Sequence, residues 1–106
     1  MKKYTTIKPK QLEKISKERI NYVQADGNYS ILVLNNGQRI LLSYPLIYIH
    51  SYLEGFVRLS KGVSVNQASI KTVTPIKSGF VVIILFDGSE FTSSRRRSKQ
   101  IQLLAA

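Results

Sequence analysis

Two stretches of this chain limit its fold more than any others. ILVLNNGQRILL, residues 31–42, and FVVIILFDGSEFTS, residues 80–93, each set two apolar, β-type runs around Asn36-Gly37 or Asp87-Gly88. Asn-Gly and Asp-Gly tolerate the positive φ angles of a type I′ turn, whose twist matches that of paired strands, so each stretch predicts an antiparallel hairpin. Further β-type runs are INYVQA at 20–25, FVRLS at 56–60, VSV at 63–65 and IKTVTPIK at 70–77. In VSV the pleat sends Val63 and Val65 to one face and Ser64 to the other. Pro75 lacks an N–H and belongs at a strand end or sheet edge. Ser78-Gly79 marks the turn into the strongest strand.

Helical signals are fewer. Residues 44–55, YPLIYIHSYLEG, follow Ser43 as a possible cap, carry Leu46, Ile49 and Leu53 at helical spacing, and stop at Gly55. A second helix is expected from near Ser94 to Leu104, with Ile101 and Leu104 on one face. In the first 19 residues Leu12 and Ile15 start an apolar stripe that Arg19 ends, too short for an amphipathic helix, so a loop or short strand is expected there. The pattern predicts a mainly β domain with one or two short helices. Residues 1–19 are read as a basic extension or first strand, and 20–106 as the domain proper.

With 106 residues and 43% hydrophobic content, the chain fits one domain with a real core. It has no cysteine, which excludes disulfides and thiolate chemistry and is compatible with a cytoplasmic setting. The N-terminus MKKYTTIKPKQ lacks the apolar region of a signal peptide, and the longest apolar run, residues 80–86, is far too short to span a membrane. The single histidine, His50, sits inside the expected helix, where a surface or half-buried place is the ordinary one. No two of the six acids form an acid–base couple, and no glycine-rich phosphate loop is present. These features predict neither an enzyme nor a metal or cofactor site, and no small-molecule substrate is evident.

The charge of +10 is unevenly spread. Residues 56–77 and 91–106 carry four basic side chains each and no acid, while 78–90 carry two acids and no base. If the fold joins the two basic blocks, one face becomes a surface for a polyanion. Three stretches stand out. Ser94-Arg95-Arg96-Arg97 lies where a strand hands over to a helix; arginines there project in different directions, so some can hold phosphate while another reaches a guanine edge. Ser94 can cap the helix or bind phosphate. Ser60-Lys61-Gly62 is an expected loop tip, and Asn28-Tyr29-Ser30 a polar turn before a strand. Each alone is also compatible with a solvated turn.

Taken together and in order, these stretches resemble the LytTR family, the DNA-binding domain of many bacterial response regulators. Its first motif is I-x-Y-I-E-A-x-G-N-Y, matched here by Ile20 to Tyr29. Its second is F-x-R-x-H-[RK]-S leading to V-N and an isoleucine, matched by Phe56 to Gly62, Val65-Asn66 and Ile70. Its close is a D-G turn leading to S-R-R-R, matched by Asp87-Gly88 and Ser94 to Arg97. Gln24 replaces the usual acid, Ser60 the family histidine and Gly62 the following serine, which removes two hydrogen-bonding side chains from the loop.

The resemblance implies an elongated set of small antiparallel sheets with short helices, and sequence-specific binding of double-stranded DNA through loops rather than a recognition helix. It implies contacts from Asn28, Tyr29 and Ser30, from Ser60, Lys61 and Gly62, and from Ser94, Arg95, Arg96, Arg97 and Lys99. Arg96 is expected to reach a base edge, with Lys61 the next candidate. A second copy on an adjacent direct repeat of a promoter is implied as well. Such domains are usually fused to a receiver or sensor; this chain carries neither, and its starting Met1 suggests a stand-alone regulator. The alternative is a small β-rich adaptor that binds RNA or a protein through the same basic face. A membrane-surface role would need a long amphipathic helix, which the basic segments lack.

Overall fold

A computed structural model describes residues 5–104. Among the described residues nine strands form two sheets. The larger sheet has the order β1-β4-β3-β2-β6-β5, built from β1 (Thr5–Ile7), β2 (Ile20–Asp26), β3 (Tyr29–Leu34), β4 (Arg39–Leu42), β5 (Phe56–Ser60) and β6 (Val63–Asn66). All its pairings are antiparallel except β1 with β4. The smaller sheet orders β7 (Ile70–Pro75), β8 (Val81–Leu85) and β9 (Glu90–Thr92) in an antiparallel meander. Two helices, α1 (Leu46–His50) and α2 (Arg95–Leu104), complete the domain. It measures 38 × 28 × 24 Å, an elongated all-β body with two helices.

Both faces of the large sheet are covered, so its central strands are apolar on both sides. Leu32, Leu34, Ile40 and Leu42 face a core closed by Leu46, Ile49 and Leu53 of α1 and its following turn. Ile31, Val33, Val63 and Val65 face the opposite way, onto Val81, Ile83 and Leu85 of the small sheet and Ile101 of α2. The side chain of Leu104, the expected companion of Ile101, lies outside the described residues. Two bulges adjust the alternation. One, between Ile20 and Tyr22, lets Ile20 and Val23 share the α1 face while Tyr22 packs edge-to-face on Phe91 with ring centroids 5.0 Å apart. The other, between Arg58 and Ser60, turns Leu59 fully into the second core.

Both hairpins form, with a different turn from the one expected. Leu34 and Gln38 close a three-residue loop in which only Gly37 has positive φ, and Leu85 and Ser89 close another in which only Gly88 does. These are type I turns followed by a glycine bulge. The reason is local: the Asn36 side chain accepts from the Gln38 N–H at 2.9 Å, and that of Asp87 from the Ser89 N–H at 2.8 Å, fixing the middle residue at negative φ. The cap of α1 is Pro45 rather than Ser43, with no side-chain hydrogen bond. Pro75 ends β7, an edge strand, as its missing N–H requires.

The first 19 residues, of which 1–4 lie outside the description, are joined to the domain. β1 pairs with β4, and a 3₁₀ segment Pro9–Lys14 buries Leu12 in the α1-side core. Asn66 caps the 3₁₀ turn Gln67–Ser69 by accepting from Ala68 N–H, and its Nδ2 donates to the carbonyls of Lys17 and of Ile20 at the start of β2.

Candidate nucleic-acid interface

The end of the large sheet where β2 turns into β3 carries a shallow groove of about 320 Å³. Arg58 and Lys61 of the β5–β6 hairpin and Arg96 and Arg97 of α2 line it. Ala25 and Gly27 at the end of β2 and Pro45, Leu46 and Ile47 at the start of α1 complete the walls. Among the described residues no carboxylate lines it. The two basic blocks, some 35 residues apart in the chain, therefore meet on one face.

The backbone holds that meeting in place. Ser94 N–H donates to Leu59 O at 2.9 Å, fastening the start of α2 to the β5 bulge. Ala25 N–H donates to Gly62 O at 2.8 Å, fastening the Lys61-Gly62 turn to β2. Within the turn, Gly62 N–H donates to Ser60 Oγ at 3.1 Å. Arg58 donates from Nε to Ser60 O at 3.0 Å and from Nη2 to Lys61 O at 3.1 Å. Arg58 is thus a brace of the turn, held by carbonyls rather than by a carboxylate. Burial, and then the positive charge of Arg97, lower its pKa from the usual arginine value.

The three consecutive arginines divide. Arg96 is exposed and Arg97 half-buried, both on the groove. Arg95 points elsewhere: its Nε donates to Ser78 O at 2.7 Å, and its guanidinium lies over the Phe80 ring, 5.4 Å from the centroid. Lys99 is exposed on α2 outside the groove lining. Ser94 Oγ is occluded and has no hydrogen-bond partner, so its hydroxyl neither caps the helix nor faces a ligand. Ser30 is fully buried, its Oγ donating to Tyr44 O at 2.8 Å. Its position in β3 points it at the α1 layer, which removes it from the surface set. Asn28 and Tyr29 are exposed beside Gly27 at the groove margin.

One groove feature was not singled out from sequence. Ile47 is 72% exposed on the wall, although it belongs to a helix whose Leu46 and Ile49 are buried. His50 is half-buried, its Nδ1 2.7 Å from Ser64 Oγ. Burial first, then the charges of Arg58 and Arg97, hold its pKa below the ordinary histidine value, so the neutral ring is favoured. Its half-buried place is the one expected for a lone histidine in that helix, whereas its Ser64 partner was not foreseen.

The LytTr DNA-binding domain family matches residues 10–105 of the chain. The chain belongs to this family. A solved LytTr DNA-binding domain, from a protein described as a methyl-accepting/DNA response regulator of Bacillus cereus, superposes with a TM-score of 0.76 at 16% identity. The superposition covers 87% of this chain and 85% of that one. At that identity the likeness speaks for the fold. No curated protein matches the chain in sequence. As a LytTr domain, the chain is a DNA-binding unit of the type used in transcription regulation. Its groove lies at the end of the sheet where the Ser60–Gly62 and Ser94–Arg97 motifs meet. Among the described residues no helix is long and apolar enough to cross a membrane.

Proposed function

We propose that this LytTr domain binds double-stranded DNA sequence-specifically as part of a bacterial transcription regulator, one copy on each of two adjacent direct repeats. The observation that carries the reading is the convergence of Arg58, Lys61, Arg96 and Arg97 on one groove. Lys61 and Arg97 serve as phosphate holders, and Arg96, exposed at the first turn of α2, as the residue that reaches a base edge. Asn28 and Tyr29 flank the same path. Selection of bound duplexes from a random pool is the test. A recurring half-site, found twice at a fixed spacing, is the expected result; recovery of random duplexes would refute specificity, and a single half-site would refute pairing.

The adaptor reading would need free aromatic faces for unpaired bases. Tyr44, Tyr48 and Tyr52 are exposed on the α1 side, but Tyr44 and Tyr48 stack at 5.1 Å and Tyr48 and Tyr52 pack at 5.4 Å. Each of the three rings thus has another tyrosine as a partner rather than standing free. Competition between duplex DNA and single-stranded RNA of equal length decides the matter: the duplex should win, and victory of the single strand with Tyr29→Ala as the most damaging change would reverse the assignment.

A further inference from the structure

Ile47 stands in a place its chemistry does not explain from folding alone. Leu46 and Ile49 are buried at 2% and 0% exposure and seat α1 on the sheet, so the register of that helix turns Ile47 outward, where it remains 72% exposed. One exposed aliphatic side chain on a protein surface is ordinary. This one forms part of the wall of a groove whose other side chains include Arg58, Lys61, Arg96 and Arg97. The lining is apolar at Ala25, Pro45, Leu46 and Ile47 and basic at Arg58, Lys61, Arg96 and Arg97, with Ile47 the exposed aliphatic member, and a duplex offers partners for both kinds of surface. In the major groove, guanine presents two acceptors to an arginine, and thymine presents the C5-methyl group, its one apolar feature.

We infer that Ile47 is a specificity-determining residue, packing its side chain against a thymine methyl in the DNA major groove beside the base pair that Arg96 reads. The inference rests on the duplex-binding reading above. It adds a residue from α1 to an interface otherwise made of loops and the start of α2. It also assigns the kind of base that residue selects.

Replacing thymine by deoxyuridine removes that methyl and nothing else. In a duplex site selected by the wild-type protein, each thymine is replaced in turn and the affinity measured at fixed salt. One position should lose about fourfold, the worth of one methyl moved out of contact with water. Ile47→Ala should bind thymine and deoxyuridine equally at that position, while Ile47→Val should keep most of the difference. Because Ile47 is exposed, the thermal midpoint of both variants should match the wild type. The inference fails if no thymine position depends on residue 47 while binding stays salt-sensitive and weakened by Arg96→Ala. If duplex binding is instead insensitive to both salt and Arg96→Ala, the duplex reading itself fails, and this inference with it.

Discussion

Arg95 and Arg96 are chain neighbours with opposite expected roles, and replacing each by alanine separates fold from function. Arg95 donates to Ser78 O at 2.7 Å and covers the Phe80 ring. Ser78 and Gly79 both have positive φ, at 72° and 81°, so the turn this bond holds carries backbone strain at a non-glycine residue. A charge-assisted hydrogen bond at an exposed site contributes about 1 kcal/mol, and an exposed cation–π contact about 0.5 kcal/mol more. Relief of repulsion from Arg96 and Arg97 returns a few tenths of that. Arg95→Ala should therefore destabilise the domain by about 1 kcal/mol, lowering the thermal midpoint by about 4–8 °C, with duplex affinity nearly unchanged at a temperature where both proteins are folded. Arg96 is exposed on the groove. Arg96→Ala should leave the midpoint in place and weaken the preferred duplex by about 1–3 kcal/mol, or about 5- to 150-fold. Thermal unfolding followed by circular dichroism, with fluorescence anisotropy on a labelled duplex, reads both quantities. If Arg95→Ala loses as much affinity as Arg96→Ala and keeps its midpoint, the division of the arginine run drawn from their side-chain directions is wrong.

Phosphate contact by Lys61 and Arg97 should give a slope of log K against log salt of about −1.8, and Lys61→Ala should flatten it by about 0.9; an unchanged slope in a salt titration would remove Lys61 from the backbone contacts. Leu59 is fully buried in the second core and its carbonyl anchors Ser94, so Leu59→Ala should cost about 2–5 kcal/mol in urea unfolding, and a loss under about 1 kcal/mol would mean that this junction does not support the fold. His50 has a folded pKa below its unfolded one, so its contribution to stability is present above about pH 6.5 and is lost as pH falls through the lower folded value. Stability should accordingly rise across that window, and His50→Gln should flatten the rise; identical pH profiles for the two proteins would show that His50 titrates as it does in the unfolded chain.

The sheet was legible because period-2 patterns and turn residues coincide. The strands around Asn36-Gly37 and Asp87-Gly88 pair as expected, and Val63 and Val65 point away from Ser64. The turn subtype was not legible, since Asn-Gly and Asp-Gly suit both a two-residue turn and a three-residue turn with a glycine bulge. The choice falls to the Asn36 and Asp87 side chains, which bond the amides two residues on. In the N-terminal segment the brief Leu12–Ile15 stripe did not reveal the 3₁₀ turn, because one buried leucine suffices to anchor it. At the site, the chain order of the motifs carried the convergence of Lys61, Arg96 and Arg97. Individual roles were hidden. Three adjacent arginines look alike until α2 is seated by Ile101, after which its rotation sends Arg95 toward Phe80 and Arg96 toward the groove. Ser30 looked like a surface residue because its neighbours in the motif are polar, yet strand alternation aims it inward. Ile47 lies off the Leu46, Ile49 and Leu53 stripe, and nothing in its local sequence ties it to basic residues distant in the chain.

The bonds that fix the basic cluster explain why it can persist without a ligand. Like charges drawn together oppose folding unless something holds them, and carboxylates would be the usual means. Here Arg58 is held by the carbonyls of Ser60 and Lys61, neutral acceptors that orient a guanidinium without cancelling its charge. The backbone bonds from Ser94 to Leu59 and from Ala25 to Gly62 then carry the repulsion between hairpin and helix. An acid in the groove would have stabilised the free protein and competed with phosphate. The arrangement leaves the field intact, so phosphate need displace no internal ion pair when it arrives and relieves a repulsion the fold already sustains.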